Sequence, residues 1–147
     1  MTIHKRDNQL LSLQYCIGSD YIDPMGHMNV QFYSRLFDAA TWAFFTLLGI
    51  DSAYIEEHHE GMAALEQRIQ YFKEVRSGTI VQVWTQVRVT GMKTCQLTHK
   101  MRDAIDDHQI AQLVQHVVYF DLLVRKSRPI PETIRKRIEQ IFNTLNE

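Results

Sequence analysis

Between Ser19 and Val30 the chain gathers side chains suited to acid–base or nucleophilic work: Asp23, His27 and Asn29, with Gly26 inside the group. A carboxylate such as Asp23 is ionised at neutral pH, so it could deprotonate a water or attack a carbonyl carbon itself. His27 titrates near neutrality and could hydrogen-bond Asp23 or help to place that water. Asn29 stands just ahead of a long apolar run and reads as a helix N-cap, which puts Val30 in the first turn. The first N–H groups of a helix have no acceptor within it and lie at the positive end of its dipole. The amides of Asn29 and Val30 therefore suit a developing oxyanion. Each residue also has a plain structural reading. Asp before Pro24 is common in turns, His27 could make a structural hydrogen bond, and Asn29 could be a cap alone. Their combination ahead of an apolar helix is what points to catalysis.

Several elements must position this group. Leu11, Leu13, Tyr15 and Ile17 alternate on one side of a first strand that ends at Gly18. Phe32, Leu36, Ala40, Ala43, Phe44 and Leu47 recur at helical spacing until Gly49, and Tyr33, Phe37, Trp42, Phe45 and Leu48 make the other faces apolar too. That pattern predicts a helix of about five turns, buried nearly all round. Strands are expected at 62–75, 79–89, 94–102 and 109–123, and in the second of them Val81, Val83, Thr85, Val87 and Val89 alternate with polar or amphipathic residues. The short turns at 90–93 and 103–108 predict an antiparallel meander, and a last helix is expected over about 131–146. The sum is a single α+β domain spanning 1–147, with an antiparallel five-stranded sheet wrapped around a long central helix. A long free strand edge favours edge-to-edge dimerisation.

Composition narrows the function. With 147 residues, 45% of them hydrophobic, the chain supports one real core. Sixteen Lys and Arg against seventeen Asp and Glu give a net charge of -1, which argues against a dedicated nucleic-acid binder. Cys16 and Cys95 are too few for a disulfide framework or a zinc site, so a reducing, cytoplasmic setting is expected. The charged residues among 1–9 do not read as a secretion signal, and the apolar stretch 39–50 is well short of the ~20 residues of a membrane span. His58 and His59 lie among Glu56, Glu57 and Glu60 in what reads as a polar loop that could serve as a lid. His99 and His116 fall on neighbouring strands without a third matched ligand, so no metal is expected.

The pattern Asp23-x-x-Gly26-His27-x-Asn29 ahead of an aromatic-rich helix resembles the signature of hotdog-fold acyl thioesterases related to 4-hydroxybenzoyl-CoA thioesterase. The stretch 69–78 is similar to the strand and turn that precede the longest hairpin of those enzymes, and the likeness spans about 15–123. The stretches 23–30, 37–40 and 48–49 resemble most the members associated with carnitine and betaine catabolism. The resemblance implies hydrolysis of an acyl-CoA or related acyl thioester, with Asp23 as nucleophile or general base and the Val30 amide polarising the carbonyl. His27 and Asn29 would complete the catalytic group. Gly26, Tyr33, Phe37, Glu66, Lys73 and Arg76 would form the substrate site, with Glu74 a rival to Glu66 and 125–128 a rival basic patch for the CoA phosphates. A thiol leaving group with a pKa of about 8.5 needs little acid assistance, so neither cofactor nor metal is required beyond the CoA of the substrate. One departure stands out: plant acyl-carrier-protein thioesterases carry an asparagine where this chain has Met25, which puts a direct asparagine role there in doubt. The implied assembly is a homodimer or a dimer-of-dimers tetramer, with no nucleic acid and no membrane as partner. Two other readings stay open: a hydratase or dehydratase of enoyl thioesters using His27, and a non-catalytic acyl-CoA-binding module. The acyl group, and the choice between CoA and a carrier protein, are not fixed by these residues.

Overall fold

The computed structural model describes residues 3–142. In chain order these form β1 (Lys5–Arg6), β2 (Gln9–Cys16), a 3-10 turn at Ser19–Tyr21, α1 (Val30–Leu47), α2 (Ser52–His58) and β3 (Glu60–Tyr71). There follow β4 (Ile80–Val89), β5 (Thr94–Asp103), β6 (Gln109–Asp121), β7 (Lys126–Ser127) and α3 (Glu132–Phe142). All strands join one antiparallel sheet in the order β1-β2-β4-β5-β6-β3, with β7 added to β6. The α+β class expected from the sequence is present. The strand number differs, because the sheet has seven strands and not five. The two additions, β1 and β7, are two residues each and too short to leave a period-two signal.

Only β4, β5 and β6 form a meander. β3 skips its neighbour in sequence and pairs along β6 from Glu60↔Asp121 to Tyr71↔Ala111, so it becomes the far edge of the sheet. Residues 72–79 then cross to β4, and Gly78 at φ 89° makes the left-handed turn that ends this crossing. The polar stretch near His58 is a helix and not a loop. Asp51 caps it by accepting from the Tyr54 N–H at 2.8 Å, and His59 ends it at φ 53°. The last helix starts at Glu132, as its Pro131 suggests, and the expected residues 143–146 lie outside the described region.

Helix α1 packs across β2 and β4 and turns Tyr33, Leu36, Phe37, Ala40, Thr41, Phe44 and Phe45 toward the sheet. It is not buried all round. Val30 is 56% and Trp42 49% exposed, because the helix lies toward the β2 side and leaves part of the β3 side of the inner face open. A register shift between Leu11 and Leu13 turns Leu10 and Ser12 inward, so the simple alternation of Leu11, Leu13, Tyr15 and Ile17 breaks, and Tyr15 is left half-exposed. Among the described residues no helix is long and apolar enough to cross a membrane.

The two strand histidines point opposite ways. His116 sits on the outer face, opposite Gln96 and Glu66, whereas His99 is wholly buried under α1. Its Nδ1 lies 2.7 Å from Thr85 Oγ1, and burial lowers its pKa to about 3 from an ordinary 6.5. The folded chain therefore keeps this ring neutral while the unfolded chain protonates it as pH falls below 6.5. Stability should drop by about 1.4 kcal/mol per pH unit from that source on the acid side. Urea titrations between neutrality and mild acid should give a steeper loss for the wild type than for His99→Gln. Equal slopes would show that His99 is not the group responsible.

Candidate active site

The stretch ahead of α1 is a tight turn pinned at both ends. Ile22 bridges Met28, the Asp23 N–H donates to His27 O at 3.1 Å, and the Gly26 N–H donates to Asp23 O at 2.9 Å. Gly26 takes φ 86°, a left-handed conformation that a Cβ would strain, which accounts for glycine there. The Met28 N–H donates to Val75 O at 2.7 Å and the Asn29 N–H to Tyr21 O at 2.9 Å, anchoring the turn to the β3–β4 crossing and to the 3-10 turn.

Asn29 works in two directions from this anchored position. Its Oδ1 accepts from the Gln31 N–H at 3.1 Å and so caps α1, while its Nδ2 donates to Asp23 Oδ2 at 2.9 Å. The other carboxylate oxygen, Asp23 Oδ1, accepts from the Met25 N–H at 2.9 Å. The Asn29 amide first, and the Met25 N–H second, hold the Asp23 carboxyl below the usual carboxylate range, with slight burial working against them. Met25 thus contributes through its backbone. Of the two amides expected to be free, that of Asn29 is taken up by Tyr21 O, and only Val30, next in line, offers an N–H that finds no acceptor among the described residues.

Beside this helix start lies a cleft of about 330 Å³, walled by His27, Met28, Val30 and Tyr33 on one side and by residues 71–74 on the other. His27 Nε2 lies 3.8 Å from Glu74 Oε2, and Arg76 Nη2 donates to Glu74 Oε1 at 3.3 Å. Tyr33 is buried with its ring edge-on to Tyr71 at 5.0 Å, and burial raises its phenol pKa.

Of the residues singled out from sequence, His27, Val30, Tyr33 and Lys73 line the cleft, and Asp23, Gly26 and Asn29 form the turn that carries its wall. Asp23 itself is not among the lining residues. Arg76 reaches the site through Glu74. Two assignments need correction. Phe37 is fully buried near His99 and belongs to the core, because it lies on the side of α1 that faces the sheet. Glu66 pairs opposite His116 on the outer face of the sheet, since the irregularity between Ala64 and Glu66 shifts the alternation of β3, and Glu74 is the carboxylate at the cleft instead. Tyr71 and Phe72 were not singled out. Both are about half-exposed at the end of β3, and their exposure follows from the fold, not from the sequence. Among the described residues one cluster has metal-ligand types, Asp103, Asp106 and His108 in the β5–β6 turn. Its carboxylates accept from backbone N–H groups of that same turn.

The fold and this helix-start site define a class: the family model for the thioesterase-like superfamily matches residues 17–138, and the chain belongs to that superfamily. Its relatives include a betainyl-CoA thioesterase of Pseudomonas aeruginosa, 25% identical over 122 residues that make up 83% of this chain and 77% of that protein. An L-carnitine dehydrogenase/betainyl-CoA thioesterase of Rhizobium meliloti is 25% identical over 85% of this chain, which spans only 25% of that longer protein. Among solved structures, a protein of Pseudomonas putida KT2440 assigned as a thioesterase superposes with a TM-score of 0.78 at 26% identity, covering 94% of this chain and 88% of its own. A Staphylococcus aureus protein solved in complex with CoA superposes with a TM-score of 0.85 at 18% identity, over 95% of this chain and 89% of that one, and shares the fold.

The double role of Asn29 can be separated experimentally. Asn29→Ala should lose both cap and clamp and cost about 1 kcal/mol of stability, whereas Asn29→Ser restores a cap oxygen but cannot donate an amide to Asp23. Both variants should raise the Asp23 pKa, and Asn29→Ala should lower stability more than Asn29→Ser, by the lost cap. Urea denaturation and carboxyl NMR titration read the two effects. An unchanged Asp23 titration in Asn29→Ser would contradict the clamp.

Proposed function

We propose that this chain hydrolyses an acyl-CoA or a related acyl thioester to the free acid and thiol, with Asp23 as nucleophile or general base. The observation that carries the reading is one arrangement: Asn29 both caps α1 and holds the doubly hydrogen-bonded Asp23 carboxylate, and the next residue, Val30, lines the cleft with an N–H that has no acceptor among the described residues. A thioester carbonyl oxygen directed at the Val30 N–H would meet both that donor and the positive end of the α1 dipole. Asp23 would then add to the carbonyl carbon, or take a proton from a water that does so, and the tetrahedral intermediate would expel the thiolate. Water completes the reaction in either case, so the chemistry requires no metal or redox group. His27, facing Glu74 across the cleft, is suited to orient that water, and Lys73 with Arg76 offers positive charge for the CoA phosphates.

The same reading assigns the assembly. Among the described residues β3 is an edge strand, and Leu65, Tyr71 and Phe72 expose 64%, 48% and 52% of their surface along and just beyond it. A second copy pairing β3 to β3 would cover these groups and close the open side of the cleft, giving a homodimer that could stack further into a tetramer. Two free cysteines, one exposed and one buried, are compatible with the reducing cytoplasm as its compartment.

The contact between His27 and Glu74 supports a second reading, in which this pair adds water to an enoyl thioester. Colorimetric detection of released thiol from a panel of acyl-CoAs separates the two. Asp23→Asn should lower kcat by about 10²–10⁴-fold with intact folding and a modest change in KM. Hydration of enoyl-CoA without thiol release, abolished in His27→Asn and retained in Asp23→Asn, would favour the second reading. Saturable acyl-CoA binding without turnover of any kind would leave a binding module.

A further inference from the structure

A row of aromatic rings stands on the β2 side of the α1 start, away from the cleft on the β3 side. Tyr21 of the 3-10 turn lies between Tyr15 of β2 and Phe32 of α1, with centroid distances of 5.6 and 4.1 Å and planes only 18° and 9° from parallel. The Phe32 end packs on the core, and Tyr21 is buried. The Tyr15 end runs out to the surface, where that ring is 39% exposed. β1 pairs only with Gln9 and Leu10, so among the described residues β2 has no outer neighbour at Tyr15, and the end of the row stays open. Neither the cap nor the Asp23 clamp uses these rings. We infer that Tyr15 stacks the adenine of CoA.

Every nucleobase has a π-face, so an open ring at the end of a stack accepts any of them, and the groups around the ring narrow the choice. Two opposite charges stand beside Tyr15. Its phenol pKa is raised chiefly by Tyr21, Asp20 adds to the rise and Arg35 opposes it, so both charged groups lie within reach of this side chain. Arg35 follows Phe32 by one turn of α1, is exposed, and forms no ion pair among the described residues. A free guanidinium suits a ribose phosphate. The exposed Asp20 carboxylate is an acceptor suited to the exocyclic amine of adenine. Ring face, cation and acceptor together match the nucleotide end of CoA.

The β3–β4 crossing links this row to the cleft. Its residues 72–74 wall the cleft, Val75 O then takes the Met28 N–H, and Arg76 follows. The crossing ends against β2, where the Gly78 N–H donates to Ile17 O at 2.7 Å and the Ile17 N–H to Thr79 O at 2.8 Å, two residues beyond Tyr15. β3 and β2 lie four strand spacings apart in the sheet, about 19 Å in all. An extended pantetheine and diphosphate arm bridges such a span, with Lys73 and Arg76 beside its path. The adenine site rests on the thioesterase reading above and deepens it, because it names CoA as the thiol carrier. A carrier protein presents pantetheine without adenine and would leave Tyr15 unused.

The test separates the site from the reaction. Calorimetry follows CoA and adenosine 3′,5′-bisphosphate binding to wild type, Tyr15→Leu, Tyr15→Phe and Arg35→Gln, all at exposed positions. Thiol release compares each acyl-CoA with the matching acyl-pantetheine thioester. Tyr15→Leu should weaken both nucleotides about tenfold and lower the kcat/KM preference for acyl-CoA over acyl-pantetheine by a similar factor, through KM. Tyr15→Phe, which keeps the ring face, should hold the wild-type preference. Arg35→Gln should weaken both nucleotides as well, and it serves if Tyr15→Leu does not fold. Nucleotide affinities in folded Tyr15→Leu or Arg35→Gln equal to those of the wild type overturn the site. A fall in both thioesters together, with their ratio unmoved, also overturns it and makes Tyr15 structural. Nucleotide binding that depends on Tyr15 with neither thioester cleaved supports the site and counts against the thioesterase reading.

Discussion

The side chain of Asn29 joins the two requirements of this site at one point. The proposed reaction asks for a helix start fixed so that its free amide points at a reacting oxygen, and for a carboxylate held ionised in the same turn. Asn29 meets both with one amide, capping α1 through Oδ1 and gripping Asp23 through Nδ2. Neither contact would hold if the turn could drift, and it is anchored through the backbone to Tyr21 and Val75. The loop, the crossing after β3 and the helix are thereby locked to a common origin. Under the proposed mechanism, this locking would let the Val30 N–H meet a developing charge with no reorganisation left for the reaction step.

The rest of the fold serves that origin by asymmetry. With α1 lying toward β2 and β4, the β3 side of the inner face retains two openings, one at the helix start and one near its middle. The polar residues beneath the helix do not compromise the core, since Ser12, Thr41, Thr85, His99 and Gln115 are joined in one chain of hydrogen bonds that ends on the backbone carbonyls of Val83 and Phe37 and on Gln67. Among the described residues one buried side-chain group is left over, Trp84 Nε1, which has no hydrogen-bond partner there.

What was legible in the sequence was what depends on near neighbours. Gly26, His27 and Asn29 form a turn and a cap within seven residues of Asp23, so spacing alone could locate them. The alternation of β4 could be read because one of its faces is covered along its whole length. Long-range choices were not legible. Nothing local in β3 says that it will pair with β6 and not with β4, and a single irregularity after Ala64 sufficed to send Glu66 to the outer face. Phe37 and Trp42 look alike as apolar helix residues, yet their places follow from where α1 lies on the sheet: Phe37 is in the core and Trp42 at a pocket rim. α2 is too short, at seven residues, to carry a helical repeat, although Asp51 three residues before Tyr54 is a readable cap.

The central claim is that the clamped Asp23 carboxylate drives thioester cleavage, and the pH dependence of kcat/KM for thiol release tests it most directly. The wild-type acid limb should lie below the ordinary carboxylate value of about 4, and Asn29→Ser, which removes the largest stabilisation of the ionised form, should move that limb upward. A limb near 6.5 that ignores the Asn29 substitution and vanishes in His27→Asn would contradict the account and hand the essential base to the histidine.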